Sequence, residues 1–172
     1  AGALDIRRDW VDVSDVVRGA VARTAKSFPS RRTETSVADD LPLIRGDAAL
    51  LEQVLLNLLD NAHKYSPPGS VTRIEARPSA GGVHIMVTDD GIGIPREDLQ
   101  KVFEKFYRVA GGDGRAPGTG LGLSICAAIV SAMGGTIAAR SPATSGKGTE
   151  ISILLPAGEA VPQTQTAAGD EA

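Results

Sequence analysis

Two asparagines and a lysine, spaced four and three residues apart, are the first side chains in this sequence whose types could do chemistry. Asn57, Asn61 and Lys64 lie in a stretch of helical apolar periodicity, and a helix turns by about 100° per residue, so the three share one stripe beside the apolar face. Amide oxygens are ligands for a hard cation such as Mg²⁺, and an ammonium group attracts phosphate. Taken alone, the stripe is more simply a solvated helix edge, and its interpretation depends on the motifs that accompany it.

A carboxylate followed by two glycines is the second candidate. Residues 83–89 alternate apolar and polar side chains as in a half-buried strand, and Asp89 continues the apolar phase. A buried carboxylate needs a hydrogen-bond donor, and Gly91 and Gly93 allow close approach of a ligand. The exocyclic amine of adenine would be such a donor. The alternative is that Asp89 caps a turn.

A glycine-rich segment that runs into an apolar helix is the third candidate. Its residues are Gly118, Thr119, Gly120, Leu121, Gly122 and Leu123. Glycines that open a helix expose backbone N–H groups at its positive end, where anionic oxygens bind. The spacing differs from the dinucleotide-binding fingerprint, and the Gly-Lys-Ser/Thr ending of a Walker loop is absent. The segment therefore predicts a phosphate-binding site.

Five motifs, in their order along the chain, resemble those of the catalytic, ATP-binding domain of a bacterial sensor histidine kinase. They are the N box at 57–65, the first glycine box at 89–93, the F box at 103–107, the second glycine box at 118–123 and the last glycine box at 146–149. The resemblance covers roughly residues 10–156. Segments 42–44, 106–108 and 125–130 further resemble the potassium-sensing Kdp kinases, which narrows the likeness within the family.

The resemblance implies two cofactors, ATP and Mg²⁺, and a role for each matching residue. Asn61 would coordinate Mg²⁺ with Asn57 nearby, Lys64 would contact phosphate, Tyr65 would lie near the adenine or ribose, and Asp89 would accept from the adenine amino group. The other implied site residues are Gly91, Gly93, Lys105, Arg108, Gly118, Thr119, Gly120, Leu121, Gly122, Leu123 and Thr149.

A segment of small and charged residues between the F box and the second glycine box shows no periodicity. It spans residues 107–117 and is interpreted as a mobile lid. Arg108 and Arg115 are its candidates for contact with the γ-phosphate, although a surface arginine is the commoner outcome. Phe103 and Phe106 either belong to the core or, as the resemblance implies, anchor this lid.

One position separates this chain from relatives that hydrolyse ATP. Gyrase-like and mismatch-repair ATPases carry a Glu four residues before the metal-binding Asn, where it serves as general base, and this chain has Asn57 there. An amide does not accept a proton at neutral pH, so the domain should hold ATP for an incoming nucleophile. No residue of this chain is assigned a catalytic role.

The phosphoacceptor histidine that the resemblance requires is not recognisable. The chain has two histidines, and both are predicted to be surface residues: His63 on the solvent side of the N-box helix and His84 on the outward face of a strand. The expected partners are therefore a histidine-bearing dimerisation domain of the same protein and a response regulator.

Composition limits the other partners. The formal charge of the 172-residue chain is −3, which provides no basic surface for nucleic acid. No apolar run has the length needed to span a bilayer, so no direct membrane contact is expected, and the resemblance implies the cytoplasmic domain of a membrane-anchored sensor kinase. The lone Cys126 is expected in the core.

The periodicity predicts an α+β fold. Helices are expected near 13–24, over the N box, from Pro95 and over 121–133, with strands near 33–37, 43–45, 71–77, 83–89, 136–140 and 150–155. This pattern predicts a two-layer α/β sandwich of the GHKL ATPase type, with about three main helices on a mixed, largely antiparallel sheet. Residues 1–9 are interpreted as a linker remnant, 10–156 as the ATP-binding catalytic domain and 157–172 as a disordered tail.

Overall fold

Three α-helices lie against a five-stranded sheet in the part of the chain that the structure, a computed structural model, describes: residues 4–109 and 122–158. The helices are α1 (Val13–Ser27), α2 (Ala48–Lys64) and α3 (Gly122–Ala132). The strands are β1 (Asp9–Val11), β2 (Arg32–Val37), β3 (Ile44–Gly46), β4 (Val71–Ser79), β5 (Gly82–Asp89), β6 (Thr136–Arg140) and β7 (Thr149–Pro156).

The sheet is mixed, as predicted. Its strand order is β2-β4-β5-β7-β6, in which β2 and β4 are parallel and every other pair is antiparallel. In the β5–β7 pair, Asp89 lies opposite Thr149. This register brings the first and last glycine boxes to the same end of the sheet, because the first box begins where β5 ends and the last box ends where the antiparallel β7 begins.

The helices bury their apolar faces on this sheet. Leu51, Leu55 and Leu59 of α2 are fully buried, as are Ile85 of β5 and Ile153 of β7. Burying one such side chain contributes about 1.5–3 kcal/mol. The central helix is thus fixed against the central strands, and the polar edge of α2 is held beside the end of β5.

Aspartates cap the first two helices. The side chain of Asp12 accepts the backbone N–H of Ser14 at 2.9 Å, and that of Asp47 accepts the N–H of Leu50 at 3.1 Å. Hydrogen bonding from the Ser14 side chain is the main cause that lowers the pKa of Asp12. Asp12 thus fixes where α1 begins.

Three features differ from the prediction. Strand β1 pairs with β3 in a separate two-stranded sheet, which the short stretch at 9–11 did not indicate. Two 3₁₀ turns, Arg96–Asp98 and Lys101–Phe103, replace the single helix expected from Pro95. The structured chain also extends past Pro156, since Ala157 donates to the Gly81 carbonyl and Gly158 to the Leu43 carbonyl. Residues 159–172, the rest of the predicted tail, lie outside the described residues.

The helices of the described segments are all too short or too polar to cross a lipid bilayer.

Candidate nucleotide-binding site

The polar edge of α2 carries the predicted metal and phosphate ligands. Asn57 and Asn61 are half-buried and Lys64 is exposed, so the three occupy the border between core and solvent, as their spacing predicts. The Lys64 ammonium lies 2.8 Å from a carboxylate oxygen of Asp60, one turn earlier. A phosphate at this edge would compete with that carboxylate for Lys64.

A buried thiol holds the side chain of Asn57. The amide nitrogen Nδ2 of Asn57 lies 3.8 Å from Cys126 Sγ on α3, and Cys126 donates to the carbonyl of Val54 at 3.8 Å. Because the S–H is used by Val54, the sulfur can only accept from Asn57, which turns the amide oxygen of Asn57 away from α3. Burial raises the pKa of Cys126 to about 11, so the group stays a thiol.

Asp89 sits where three motifs meet. Its Oδ1 accepts the backbone N–H of Gly91 at 2.8 Å and that of Thr149 at 3.3 Å. Burial raises the pKa of the carboxyl above its ordinary value, and the two hydrogen bonds oppose that shift. Asp89 therefore caps the turn, one of the two alternatives left open by the sequence, and its recognition of adenine stays a prediction.

Close backbone approach explains two of the glycines. A Cβ atom on Gly91 would lie 2.4 Å from the carbonyl oxygen of Tyr65, at the end of α2. A Cβ atom on Gly148, which has a φ of 71°, would lie 1.8 Å from the carbonyl oxygen of Asp89. Only glycine permits these contacts. They bring the end of the N box and the first and last glycine boxes into one cluster around Asp89.

A cleft of about 830 Å³ opens beside this cluster. Its size falls in the usual range for small-molecule sites. One wall is the loop after β5 and the other is the β6–β7 loop. The lining residues are Gly91, Ile92, Gly93, Ile94, Pro95, Arg96, Leu99, Ser141, Pro142, Gly146, Lys147 and Gly148.

A series of ion pairs flanks the cleft, and the sequence did not predict it. Asp90, whose side chain is 13% exposed, lies 3.5 Å from an Arg73 nitrogen and 3.9 Å from Lys147 Nζ. Arg73 also lies 3.5 Å from Glu34. Asp90 thus joins β4 to the last glycine box and keeps a cation at the rim of the cleft.

The F box ends in an exposed, unusual conformation. Tyr107 donates a hydrogen bond to Asp98, which is the main cause that raises the pKa of Tyr107 to about 12. Phe103 is packed against the core, whereas Phe106 is 70% exposed with a φ of 63°. Core packing therefore accounts for Phe103 and not for Phe106.

The remaining predicted site residues divide between described and undescribed segments. Lys105 and Arg108 are exposed, Leu123 is half-buried in α3, and Gly122 is the first residue of that helix. Gly118, Thr119, Gly120, Leu121 and Arg115, with most of the predicted lid, lie outside the described residues. Cys126, one turn after the first residue of α3, contacts Asn57. The start of α3 is therefore close to the N box.

The prediction that His63 faces solvent is wrong. Its side chain is 2% exposed, with Nε2 3.3 Å from Thr33 Oγ1 and Nδ1 3.3 Å from Thr72 Oγ1, and its ring lies 5.2 Å from that of Phe28. Burial, followed by the charge of Arg31, lowers the pKa of His63. The missed signal is the four-residue spacing that continues Leu51, Leu55 and Leu59 to position 63.

The second histidine is also less exposed than predicted. His84 is half-buried, and its Nε2 lies 3.2 Å from Ser152 Oγ on β7. The outward face of β5 is partly covered by its own neighbours: Met86, in the same phase as His84, is 5% exposed, and an Arg77 nitrogen lies 3.3 Å from its sulfur. Neither histidine projects freely into solvent.

Sequence reasoning also missed Ser141. Its Oγ accepts the backbone N–H of Ile94 at 2.9 Å and donates to the carbonyl of Gly148 at 2.8 Å. A lone serine after a strand has no periodicity or motif to distinguish it, so only the fold reveals that it bridges the two walls of the cleft.

The sequence of this chain is similar to those of known proteins. The family model described as "Histidine kinase-, DNA gyrase B-, and HSP90-like ATPase" matches residues 46–159. The sensor protein KdpD of Clostridium acetobutylicum is 38% identical over 147 residues, 84% of this chain and 16% of that protein. The sensor-like histidine kinase SenX3 of Mycolicibacterium smegmatis is 38% identical over 152 residues, 86% of this chain and 38% of that protein. The likeness to Kdp kinases is thus real and is shared with other sensor kinases.

Solved structures of histidine kinases share the fold of this chain. A mycobacterial sensor histidine kinase, MprB, superposes with a TM-score of 0.75 at 33% identity, covering 87% of this chain and 97% of that one. The catalytic domain of the histidine kinase ThkA, at 21% identity, shares the fold with a TM-score of 0.74, covering 89% of this chain and 96% of that one.

The chain spans between 16% and 38% of the length of these two curated relatives. The N box, the glycine boxes and the sandwich fold occur together in this chain. The chain therefore belongs to the histidine kinase-, DNA gyrase B- and HSP90-like ATPases, as an ATP-binding catalytic domain of the sensor histidine kinase type.

Proposed function

We propose that this domain binds Mg-ATP in the cleft beside Asp89 and donates the γ-phosphoryl group to a histidine on a separate dimerisation domain, from which a response-regulator aspartate receives it. The observation that supports this best is the convergence of the N-box end and two glycine boxes on Asp89. Membership of the family makes adenosine triphosphate the expected ligand at that convergence.

Asp89 is the proposed reader of the base. Both of its backbone hydrogen bonds end on Oδ1, so Oδ2 is the oxygen left to accept from the adenine amino group. Thr149, which is 8% exposed and adjacent to Asp89 in the register, would complete the polar end of the base site. Tyr65, which is 44% exposed at the end of α2, would cover the base or ribose.

The residues at the edge of α2 fit a magnesium ion. No group of three His, Cys, Asp or Glu that could hold a metal occurs among residues 4–109 and 122–158, so the ion would not be held by a protein cage. Mg²⁺ commonly keeps several waters and is bound by one or two protein oxygens together with substrate phosphates. Asn61 would supply one oxygen, and Asn57, whose nitrogen contacts Cys126, would present its own. When bound, the ion neutralises charge on the phosphates.

The chain's own residues would position the phosphates rather than react. Lys64 would exchange its Asp60 partner for a phosphate oxygen, and the backbone at the start of α3 would hold the others. In the transfer, the bond between the γ-phosphorus and its β-bridging oxygen breaks, a phosphorus–nitrogen bond to the acceptor imidazole forms, ADP leaves and the imidazole loses its proton. Asn57 does not accept a proton, so water would be activated poorly.

The phosphoacceptor histidine must lie outside this domain. His63 is buried between Thr33 and Thr72, and His84 is bonded to Ser152. Each is held inside or against the sandwich, so neither can reach a γ-phosphate at the cleft without disrupting the fold. We accordingly place the acceptor on a dimerisation domain, and this domain on the cytoplasmic side of a sensor kinase, where ATP is available.

Phosphotransfer to an added acceptor tests this function. The chain is mixed with a histidine-bearing dimerisation domain of a related kinase and ATP labelled at the γ-phosphate, and label on the acceptor is measured over time. We expect magnesium-dependent labelling that disappears when the acceptor histidine is replaced. Tight ATP binding with no labelling would instead indicate a nucleotide-sensing module, and appreciable phosphate release by the chain alone would indicate an ATPase.

A further inference from the structure

Ser141 lies outside all five motifs, yet its hydroxyl joins two of them. It follows β6 directly and is half-buried. As acceptor it takes the N–H of Ile94, which directly follows the first glycine box, and as donor it reaches the carbonyl of Gly148, in the last one. The hydroxyl thus commits its only proton and one of its two acceptor lone pairs to fixing two backbone segments together.

The second of these bonds acts on Asp89 through one rigid unit. The carbonyl of Gly148 and the N–H of Thr149 belong to the same planar peptide group. Ser141 holds the carbonyl at 2.8 Å, and Asp89 Oδ1 accepts the N–H at 3.3 Å. Fixing one end of the peptide plane therefore fixes the direction in which its other end points, toward the carboxylate.

The first bond closes the circle. Asp89 Oδ1 also accepts the N–H of Gly91, and the chain continues from there to Ile94, whose N–H returns to Ser141. The result is a ring of hydrogen bonds that runs from Asp89 through the Gly148–Thr149 peptide and Ser141 to Ile94, closed by the backbone of residues 89–94. Bonds linked in this way reinforce one another.

The ring leaves little room for movement. A Cβ atom on Gly93 would lie 2.7 Å from Ser141 Oγ, so the loop passes directly against the hydroxyl. Ser141 also lines the cleft together with residues 91–96 and 146–148. It therefore lies between the two walls that would enclose a nucleotide base, with its only proton already donated to the Gly148 carbonyl.

We propose that Ser141 is a positioning residue for base recognition: it orients the Asp89 carboxylate, through the Gly148–Thr149 peptide and the Ile94 amide, so that Oδ2 faces the adenine amino group. This inference rests on the proposed nucleotide site and adds to it a residue that sets specificity without touching the ligand. The consequence is that Ser141 controls the preference for ATP over GTP, whereas the phosphate-binding edge of α2 is unaffected.

The test compares Ser141→Ala with Ser145→Ala, a matched control in the same loop. Ser145 Oγ also donates to a backbone carbonyl, that of Lys147 at 3.3 Å, but it does not join the loop to the first glycine box. Dissociation constants for ATP and for GTP are measured with excess magnesium. We expect Ser141→Ala to weaken ATP binding by about 10-fold, the value of one hydrogen bond, with GTP affinity unchanged, and Ser145→Ala to leave both constants at the parent values.

Ser141→Thr, which keeps the hydroxyl, should restore most of the preference for ATP. A purely structural role would weaken ATP and GTP alike, and parent-like ATP affinity in Ser141→Ala would remove the positioning role. A parent chain that bound neither ATP nor GTP would overturn the proposed function itself. That result is distinguishable from the two outcomes that would remove only the role of Ser141.

Amide hydrogen exchange of the parent chain gives a readout that does not depend on any variant folding. The Ile94 N–H lies in a loop outside helix and strand, where rapid exchange is normal. Slow exchange at Ile94 is expected if Ser141 holds it. Exchange at the rate of an unprotected loop amide would show that the ring does not exist in solution and would overturn the inference.

Discussion

The two sides of the candidate site are built differently. On the base side, Asp89, the loop at 91–94 and the last glycine box are joined by backbone hydrogen bonds and by contacts that only glycine allows. On the metal and phosphate side, Asn61 and Lys64 project from a helix edge, and Lys64 is paired with Asp60. The proposed base side is therefore organised by the fold before a ligand arrives, whereas the proposed phosphate side would be completed by the ligand.

The largest effect should come from the metal side. Asn61→Ala removes the proposed magnesium oxygen, and we expect magnesium-dependent ATP affinity to fall about 100-fold or more, with the melting temperature unchanged because Asn61 is only half-buried. Isothermal titration calorimetry with and without magnesium measures this. Gln53→Ala, on the exposed side of the same helix, should behave as the parent. Unchanged ATP affinity in Asn61→Ala would remove the metal assignment.

Asp89→Asn should have the next largest effect, on the base side. Replacing one acceptor oxygen by a donor that faces the adenine amino group should weaken ATP by about 10- to 100-fold, without magnesium dependence and without loss of GTP affinity. Competition binding with both nucleotides measures it. The exposed Asp39→Asn is the matched control, and a parent chain that bound ATP and GTP equally would contradict the base-reading role.

The same substitution should separate function from stability. Burial raises the folded-state pKa of Asp89 above the ordinary value of 3.8, so its stabilising contribution is complete below that value and is lost as the pH rises through the raised pKa. At neutral pH the ionised carboxylate is therefore unfavourable to folding. The free energy of unfolding of Asp89→Asn, from urea denaturation at pH 7, should equal or exceed that of the parent, and a clear loss would contradict this.

A smaller effect is expected from acid. Because the pKa of Asp89 is raised, the carboxylate takes up a proton at a higher pH than an ordinary aspartate. As the pH is lowered, ATP affinity should therefore begin to fall before pH 3.8 is reached. The proton converts the acceptor oxygen into a donor. Affinity measured at a series of pH values in parent and Asp89→Asn isolates this contribution, since titration of ATP itself is common to both. Parallel curves would show that Asp89 does not meet the ligand.

The smallest effect should be seen at Cys126, which supports the metal side from within the core. The thiol is fully buried and its pKa is raised to about 11, and the thiolate is the reactive form. Iodoacetamide at pH 8 should leave the native chain unmodified, with mass spectrometry as the readout, and should modify it once urea is added. Rapid modification of the native chain would mean that the contact between Asn57 and α3 is loose.

Periodicity could predict the frame of this molecule but not its cross-links. The apolar spacing of residues 51–62 and the alternation of 83–89 predicted α2 and β5, because burial dictates both patterns. A strand was expected near 43–45, but β1 and its pairing with β3 were missed, since three residues are too short to show a period. Ser141 was missed for a related reason: its partners are 47 and 7 residues away along the chain.

His63 shows how a pattern can be read too narrowly. The residue continues a four-residue spacing of buried leucines, but it was assigned to solvent because it points away from the stripe of Asn57, Asn61 and Lys64. In the structure Thr33, Thr72 and Phe28 provide polar and aromatic partners inside the fold, so burial costs less than for an unpaired imidazole. Those partners come from β2, from β4 and from the residue that follows α1, and no local pattern in the sequence indicates that they meet one helix.

A structure of the chain with magnesium and a non-hydrolysable ATP analogue would show whether the two sides of the candidate site serve one molecule. We expect one nucleotide whose adenine amino group lies within hydrogen-bond distance of Asp89 Oδ2, while the magnesium on its phosphates is coordinated by Asn61 Oδ1. A nucleotide bound with its base away from Asp89, or with its metal held by residues other than those of the α2 edge, would contradict it.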